Sequence, residues 1–127
     1  MASPLTIFAV GQRAMSAQLV RMNAADFVEQ ELAKPQAAGT TRMLMHSIVW
    51  QYVPADQQER VTAAMERAGA AATRERPLAW VALEANRVLH IHEMVVRYWP
   101  GGEAGEVVTR AHPHGAWIGW GGSDRTV

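Results

Sequence analysis

The sequence predicts an α/β fold: a short, mostly parallel sheet with crossover helices and a C-terminal antiparallel β-hairpin. Candidate strands and helices alternate over the first two thirds of the chain, which favours parallel strands joined by crossovers. Two later strand candidates, residues 92–99 and 106–111, flank a glycine-rich segment at residues 100–105. Glycine readily adopts the positive φ values that a chain reversal needs, so we expect these two strands to form the hairpin.

The amino-terminal third is predicted to contain two helices and a short strand. Ser3-Pro4 provides a hydroxyl cap and a proline at the first helical position, which indicates a helix over residues 1–18. Residues 19–22 form a strand candidate. Asn23 is a favourable cap for a second helix over residues 25–33.

Residues 42–49 are the most informative predicted element. They form a strand that is apolar on both faces, so we expect helices on both sides of its sheet. A helix begins after Pro54, and a strand over residues 78–84 follows it. The predicted buried stripe of that helix consists of Val61, Met65, Ala68 and Ala72.

The end of the chain is predicted to add little to the fold. Residues 116–120 are expected to continue the second hairpin strand after a break at Pro113, and residues 121–127 form a polar, frayed tail. A chain of 127 residues is long enough for a single domain with one core, so residues 1–127 are treated as one α/β domain.

Composition excludes several classes of protein. Twelve basic residues balance twelve acidic ones, which gives no electrostatic reason to expect nucleic acid or an anionic membrane as a partner. The chain has no cysteine, so disulfides and thiolate chemistry are excluded. No apolar run approaches the roughly 18 residues of a membrane span, and no clear signal peptide precedes the domain. We therefore expect a cytoplasmic protein.

Several stretches carry a resemblance to a known family. The chain resembles the carboxyl-terminal part of an uncharacterised bacterial family, domain of unknown function 2332, and that part is itself similar to the second half of Rossmann-like methyltransferases. The resemblance extends over about residues 19–120. It is carried by His46-Ser47-Ile48-Val49-Trp50-Gln51-Tyr52, Arg76-Pro77-Leu78-Ala79-Trp80, Tyr98-Trp99-Pro100-Gly101-Gly102 and His112-Pro113-His114-Gly115-Ala116-Trp117.

The chain lacks one feature of Rossmann-like methyltransferases, the glycine-rich loop that binds the cofactor. A methyltransferase of this type holds its nucleotide cofactor on a glycine-rich loop after the first strand. This chain has no G-x-G-x-x-G before a helix, and Gly11 stands alone. We therefore expect no cofactor and no independent catalysis, with S-adenosylmethionine and a transition metal kept as alternatives.

A pocket is predicted near the end of the 42–49 strand, because ligands of open α/β sheets bind at the carboxyl ends of strands. Aromatic walls with a few polar groups are typical of small-molecule pockets. The competing interpretation, which we favour, is that His46 and Ser47 only satisfy backbone groups at the strand end. The candidate pocket residues are His46, Ser47, Trp50, Gln51, Tyr52, His112, His114 and Trp117.

Two histidine pairs give a metal-binding hypothesis. His90 and His92 form one H-x-H pair, and His112 and His114 form another. If the hairpin reverses near Gly102, four imidazoles could meet, and imidazole suits Zn, Ni, Cu or Fe. Pro113 interrupts the second strand, so packing, hydrogen bonding or surface exposure is the favoured interpretation.

The tryptophan content points to association. Trp80, Trp99, Trp117 and Trp120 are a heavy aromatic load for this length, and a short open sheet leaves apolar faces and edges to cover. We expect a homo-oligomer, with a dimer favoured. The leading functional hypothesis is therefore an oligomeric or interaction module that is not independently catalytic. The alternatives are a small-molecule-binding enzyme and a histidine-based metal-binding protein.

Overall fold

The computed structural model describes residues 18–120, apart from the side chain of Trp120. The predicted helix over residues 1–18 and the tail over residues 121–127 therefore fall outside the described residues, except for Gln18, which lies in no helix or strand. The described elements are α1 (Ala24–Ala33), β1 (Arg42–Ser47), a short 3₁₀ turn (Trp50–Tyr52), α2 (Ala55–Ala70), β2 (Leu78–Asn86), β3 (Ile91–Trp99), β4 (Gly102–Ala111) and β5 (Ile118–Trp120).

The five strands form one mixed sheet in the order β1-β2-β3-β4-β5, in which only β1 and β2 are parallel. The prediction of a mostly parallel, Rossmann-like sheet is therefore wrong. Its physical reason lies in the connections: β2 and β3 are separated only by residues 87–90, and β3 and β4 only by Pro100 and Gly101. A parallel pair needs a crossover of a dozen or more residues, so strands joined this tightly must be antiparallel.

A single crossover supplies the parallel pair. Strand β1 runs through α2 into β2, and Arg42 pairs with Leu78 at one end of the register and Ser47 with Leu83 at the other. The predicted strand over residues 19–22 does not form, so no further parallel strand precedes β1 within residues 18–120. The predicted hairpin is confirmed as β3 and β4, although its loop is shorter than expected. Residues 118–120 form a separate strand that pairs with β4 instead of extending it.

Both helices begin with recognisable signals. The side chain of Asn23 caps α1 by accepting a hydrogen bond from the backbone N–H of Asp26 at 2.8 Å. Asp56 lies in the first turn of α2, where the helix dipole favours a negative charge. Neither helix in this part of the chain is long and apolar enough to cross a membrane.

Both helices pack on one face of the sheet, which we call the helix face. Side chains of a strand alternate between faces, so Leu78 and Trp80 of β2 share the helix face with Trp99 of β3, the partner of Leu78. Of the predicted stripe of α2, Val61 and Met65 are fully buried, while Ala68 and Ala72 are partly buried against them. The buried cluster consists of Ala25, Val28, Val61, Ala64, Met65, Leu78, Trp80 and Trp99.

An ion cluster also joins the two helices. The guanidinium of Arg60 on α2 lies 2.7 Å from a carboxylate oxygen of Asp26 and 2.9 Å from one of Glu29, both on α1. The hydrogen bonds from Arg60 are the main reason that the pKa values of both carboxyls lie below their usual range. The cluster is exposed, so it orients the helices more than it stabilises them.

The opposite face of the sheet, which we call the open face, carries no helix in the described part of the chain. Met43 is 56% exposed, Met45 is 64% exposed and Tyr98 is 47% exposed. The expectation that β1 lies between two helical layers is therefore wrong for residues 18–120. Strand β1 carries apolar side chains on both faces, but of these only Leu44 packs against the buried cluster.

Candidate functional site

A cleft opens on the helix face beside α2, which lines it with Thr62. Its inner compartment has a volume of about 250 Å³ and is walled by His46, Trp50, Trp80 and Arg97. Its outer compartment has a volume of about 460 Å³ and contains Glu84 and Glu93. Ala82 and Val95 line both compartments. We call the two compartments together the His46 cleft.

Glu84 organises the chain around the cleft. Its Oε1 accepts hydrogen bonds from Nδ1 of His46 at 2.8 Å and from the backbone N–H groups of Val49 and Trp50 at 3.2 Å. Ile48, just after β1, adopts a φ of 50°, which is unusual for a β-branched residue. This turn directs the consecutive N–H groups of Val49 and Trp50 at the carboxylate of Glu84. The strained backbone of Ile48 and the Glu84 carboxylate therefore together hold Trp50 over the cleft.

The hydrogen bonds of His46 fix its tautomer. The indole N–H of Trp80 can only donate, and it lies 2.9 Å from Nε2 of His46, so Nε2 must be the unprotonated acceptor. The proton of the neutral ring is then on Nδ1, where it is donated to Glu84. Both ring nitrogens are occupied, and the ring also stacks on Trp50 at 5.2 Å with an interplanar angle of 15°.

This arrangement limits the chemistry of His46. A general base or a metal ligand needs a free lone pair on a ring nitrogen. Here the lone pair of Nε2 points at the Trp80 indole, and Nδ1 points at Glu84. The side chain of Ser47 lies on the open face, because neighbouring residues of a strand point to opposite faces. In this geometry His46 lines the cleft, and both of its ring nitrogens are engaged by other side chains.

Arg97 brings a positive charge into the inner compartment. Its guanidinium carbon lies 5.7 Å from the Trp80 ring centre and 4.9 Å from the Trp99 ring centre, which are cation–π distances. Its Nε donates to the backbone oxygen of Glu103 at 2.8 Å, and its Nη2 lies 3.3 Å from Glu66. Nη1 makes no hydrogen bond to any of the described residues 18–120.

The outer compartment is polar and electrically mixed. Glu84 and Glu93 are direct cross-strand neighbours of β2 and β3. Glu93 accepts a hydrogen bond from Asn86 at 3.2 Å and pairs on its other side with Arg110 of β4. Arg87 also lines this compartment. Two carboxylates and the guanidinium of Arg87 therefore line it, so its charge is mixed with an excess of negative groups.

The structure brings only part of the predicted pocket together. His46 and Trp50 line the inner compartment. Gln51 is exposed and accepts a hydrogen bond from Arg87 at 3.2 Å, and Tyr52 is 75% exposed. Ser47 lies on the other side of its strand, so neither compartment is lined by Ser47, Gln51 or Tyr52.

The later histidines lie away from the cleft. His112, His114 and Trp117 belong to the connection between β4 and β5, where the His112 backbone N–H donates to Trp117 O. The rings of His112 and His114 have centres 5.7 Å apart. His90 lies in the turn between β2 and β3 with a φ of 54°, and His92 is on β3. The residues described contain no group of three or more metal-ligating side chains, so the hypothesis of a four-histidine site receives no geometric support there.

Sequence reasoning missed the two charged residues that matter most in the cleft. Neither Glu84 nor Arg97 is among the residues predicted to line the pocket. The partner of Glu84 depends on the parallel register, in which His46 pairs with Ala82. No local pattern encodes that register. For Arg97 a signal existed, because its even spacing from Trp99 places it on the same, buried face of β3.

Comparison with known proteins adds a family assignment. A family model described as "Uncharacterized protein conserved in bacteria (DUF2332)" matches residues 8–120. No curated protein and no solved structure matches the chain. The expected family is therefore confirmed, and the comparisons show no similarity to methyltransferases.

Proposed function

This chain belongs to the bacterial DUF2332 family, and within that family we propose that it acts as a non-catalytic interaction module that forms a homodimer. The open face of the sheet is the interface in this proposal. The single observation that carries it is a large apolar surface on β1, β2 and β3 that no described element covers.

The open face is apolar along three adjacent strands. Its three most exposed large side chains are Met43, Met45 and Tyr98, at 56%, 64% and 47% exposure. Between them lie half-buried aliphatic residues of β2 and β3, including Val81 and Val96, which are cross-strand partners. The largest apolar patch on a monomer, typically about 300–600 Å², is often functional, so a surface of this kind supports a weak interface.

A second copy of the chain suits this surface because the surface carries no formal charge. Alternation along the paired strands places no Asp, Glu, Lys or Arg on the open face of β1, β2 or β3. Two copies related by a two-fold axis would therefore bring apolar side chains together without repulsion between like charges. The nearest charged residue on this face is the exposed Glu106 of β4, the partner of Val96, which lies at the edge of the patch.

The size of the patch sets the expected strength. Three strands about 4.8 Å apart, taken over the six residues that β1 pairs with β2, cover roughly 15 by 20 Å. This is well under the roughly 800 Å² per partner of a standard interface. We therefore propose a weak dimer with a dissociation constant on the order of 10–100 µM, assembled as two sheets packed face to face.

The geometry of the His46 cleft supports the non-catalytic part of the proposal. The most obvious acid–base side chain there, His46, has both nitrogens engaged by Glu84 and Trp80. The test has two steps. NMR first confirms the hydrogen bond from the Trp80 indole to His46, and the protein is then assayed for hydrolytic activity. Hydrolytic activity that disappears in a His46→Gln variant would contradict this part of the proposal.

Sedimentation velocity from about 1 to 300 µM tests the dimer. The wild-type chain should shift from monomer toward dimer across this range, and Met45→Lys should stay monomeric because it places a charge at the centre of the interface. Val88→Lys is the matched control: Val88 is an apolar residue that is 86% exposed in the β2–β3 turn, away from the open face.

Each outcome decides the proposal. Because Met45 is already 64% exposed, its replacement should leave the circular dichroism spectrum and melting temperature unchanged. A wild-type chain that stays monomeric at 300 µM would refute self-association. A dimer that Met45→Lys leaves intact would refute the open face as its interface.

A further inference from the structure

The inner compartment of the His46 cleft has the features of a ligand site, and it lies on the face of the sheet opposite the proposed dimer interface. We propose that it binds a small, flat organic anion: a single aromatic or heteroaromatic ring that carries one carboxylate. The carboxylate pairs with the guanidinium of Arg97, and the ring lies against the indoles of Trp50 and Trp80. This inference does not depend on dimer formation.

The aromatic walls select a flat body. The rings of Trp50 and Trp80 have centres 5.6 Å apart and are inclined at 67°, so together they form an angled apolar corner. His46 is stacked on Trp50 and has no ring nitrogen free to bond a ligand. Ala82 on the floor is the smallest chiral side chain, and it leaves the space in front of the corner unfilled. A flat ring complements such a corner better than a branched or charged group does.

Arg97 determines which ligand charge the inner compartment favours. Among the described residues, Arg97 is the only one with a formal charge that lines the inner compartment. A cation bound there would therefore be repelled by the guanidinium. Its side chain is 24% exposed, and its Nη1 donates to no described residue. Its partner Glu66 is 54% exposed at 3.3 Å, so that ion pair is weak and a ligand carboxylate can replace it. The fork of a guanidinium matches a carboxylate in a two-bond geometry.

The volume limits the size of the ligand. A dry cavity of about 150 Å³ accommodates a benzene ring. The inner compartment alone, at about 250 Å³, therefore has room for one ring and a carboxylate. The outer compartment adds two carboxylates and one guanidinium, so the proposal places the ligand carboxylate at Arg97 and away from Glu84 and Glu93.

Three probes that share a phenyl ring test whether the charge of the ligand determines binding. They are benzoate, benzamide and benzylamine, which present an anion, a neutral amide and a cation. Each is titrated into the ¹⁵N-labelled full chain at pH 7 while the tryptophan indole N–H signals are followed, with assignments from single Trp→Phe variants. Benzoate should shift the Trp50 and Trp80 signals in a saturable manner. Benzamide and benzylamine should bind at least tenfold more weakly.

Two variants locate the site, and a third serves as control. Arg97→Gln should weaken benzoate binding at least tenfold and remove the preference over benzamide. Ala82→Leu should abolish binding by filling the floor, without any change of charge. Arg74→Gln removes an exposed guanidinium that lines neither compartment, and it should bind benzoate as the wild-type chain does.

The proposal is overturned if benzoate gives no saturable shift up to about 20 mM, if the three probes bind equally, or if the shifts centre on Trp117 instead. Loss of the Arg97 stacking could unfold the Arg97→Gln variant. Ala82→Leu then decides the matter, because unchanged benzoate binding in a folded Ala82→Leu chain would also refute the site.

Discussion

Gly69 of α2 lies directly against the indole of Trp99 on β3: a β-carbon built on Gly69 would be only 2.5 Å from two atoms of that ring. A glycine in a helix interior costs about 1 kcal/mol relative to alanine. Here the cost is offset by the close approach of helix and sheet, and the buried Trp99 ring also supports the Arg97 guanidinium. The glycine thereby connects the core to the His46 cleft.

The first prediction concerns that contact. Gly69→Ala should lower the free energy of unfolding by about 1–3 kcal/mol, because overpacking against a buried ring outweighs the gain in helix propensity. Urea denaturation followed by circular dichroism measures it. Glu59→Ala, at an exposed position of the same helix, should change stability by less than about 0.5 kcal/mol. A Gly69→Ala chain more stable than wild type would show that Trp99 moves aside freely.

The second prediction concerns the hydrogen bond between Trp80 and His46. Long-range ¹H–¹⁵N spectra at pH 7 should show His46 as the Nδ1–H tautomer, because the Trp80 indole donates to Nε2. Trp80→Phe keeps a large ring but removes the donor, so the tautomer preference should weaken and stability should fall by about 1 kcal/mol. Trp117→Phe, at a residue 48% exposed, should change neither quantity. A wild-type His46 protonated on Nε2 would contradict the assignment.

The third prediction concerns the pH dependence of the cluster formed by Arg60, Asp26 and Glu29. Hydrogen bonds from Arg60 lower the pKa of each carboxyl below its ordinary value, 3.8 for Asp26 and 4.5 for Glu29. A pKa that is lower in the folded state stabilises the fold above the unfolded value, and that stabilisation is lost as the pH falls through the folded value. Arg60→Gln should therefore melt at a lower temperature than wild type at pH 7, and the difference should shrink below about pH 4.

Thermal melts at pH 7 and pH 3, each at low and high salt, measure this effect. High salt should reduce the difference at pH 7 because the cluster is exposed. Arg74→Gln, which removes an exposed arginine from the loop after α2, should show no such pH dependence. A wild-type advantage that is equal at pH 7 and pH 3 would assign the stabilisation to packing of the Arg60 side chain.

Local patterns predicted the elements of this fold more successfully than their arrangement. Asn23 indicated the start of α1, and the spacing of Val61 and Met65 indicated the buried stripe of α2; both predictions are confirmed. The sheet is predicted as mostly parallel from the alternation of strands and helices, although the predicted strands 78–84 and 92–99 leave only residues 85–91 between them. That connection cannot hold a crossover, so its length was the more reliable signal.

The candidate site could be predicted only in part, for a different reason. His46 and Trp50 lie together near the end of one strand, so their proximity is local and visible in the sequence. Glu84 and Arg97 reach the same cleft through strand pairing, His46 beside Ala82 and Trp80 beside Arg97. Pairing of this kind depends on the whole sheet, and composition or periodicity within one segment does not encode it.

Strand β1 differs from its neighbours in how far the chain must travel before it can pair. Strands β2 to β5 follow one another through short connections, whereas the whole of α2 lies between β1 and β2 in the chain, so Arg42 pairs with a residue 36 positions away. Closing that longer loop costs more chain entropy, so we expect the meander to assemble first and β1 to join last. Pulse-labelling hydrogen exchange should then find the β1 amides protected after those of β3. Because His46 lies on β1, we expect the cleft to form only in this last step, so its formation would indicate that folding is complete.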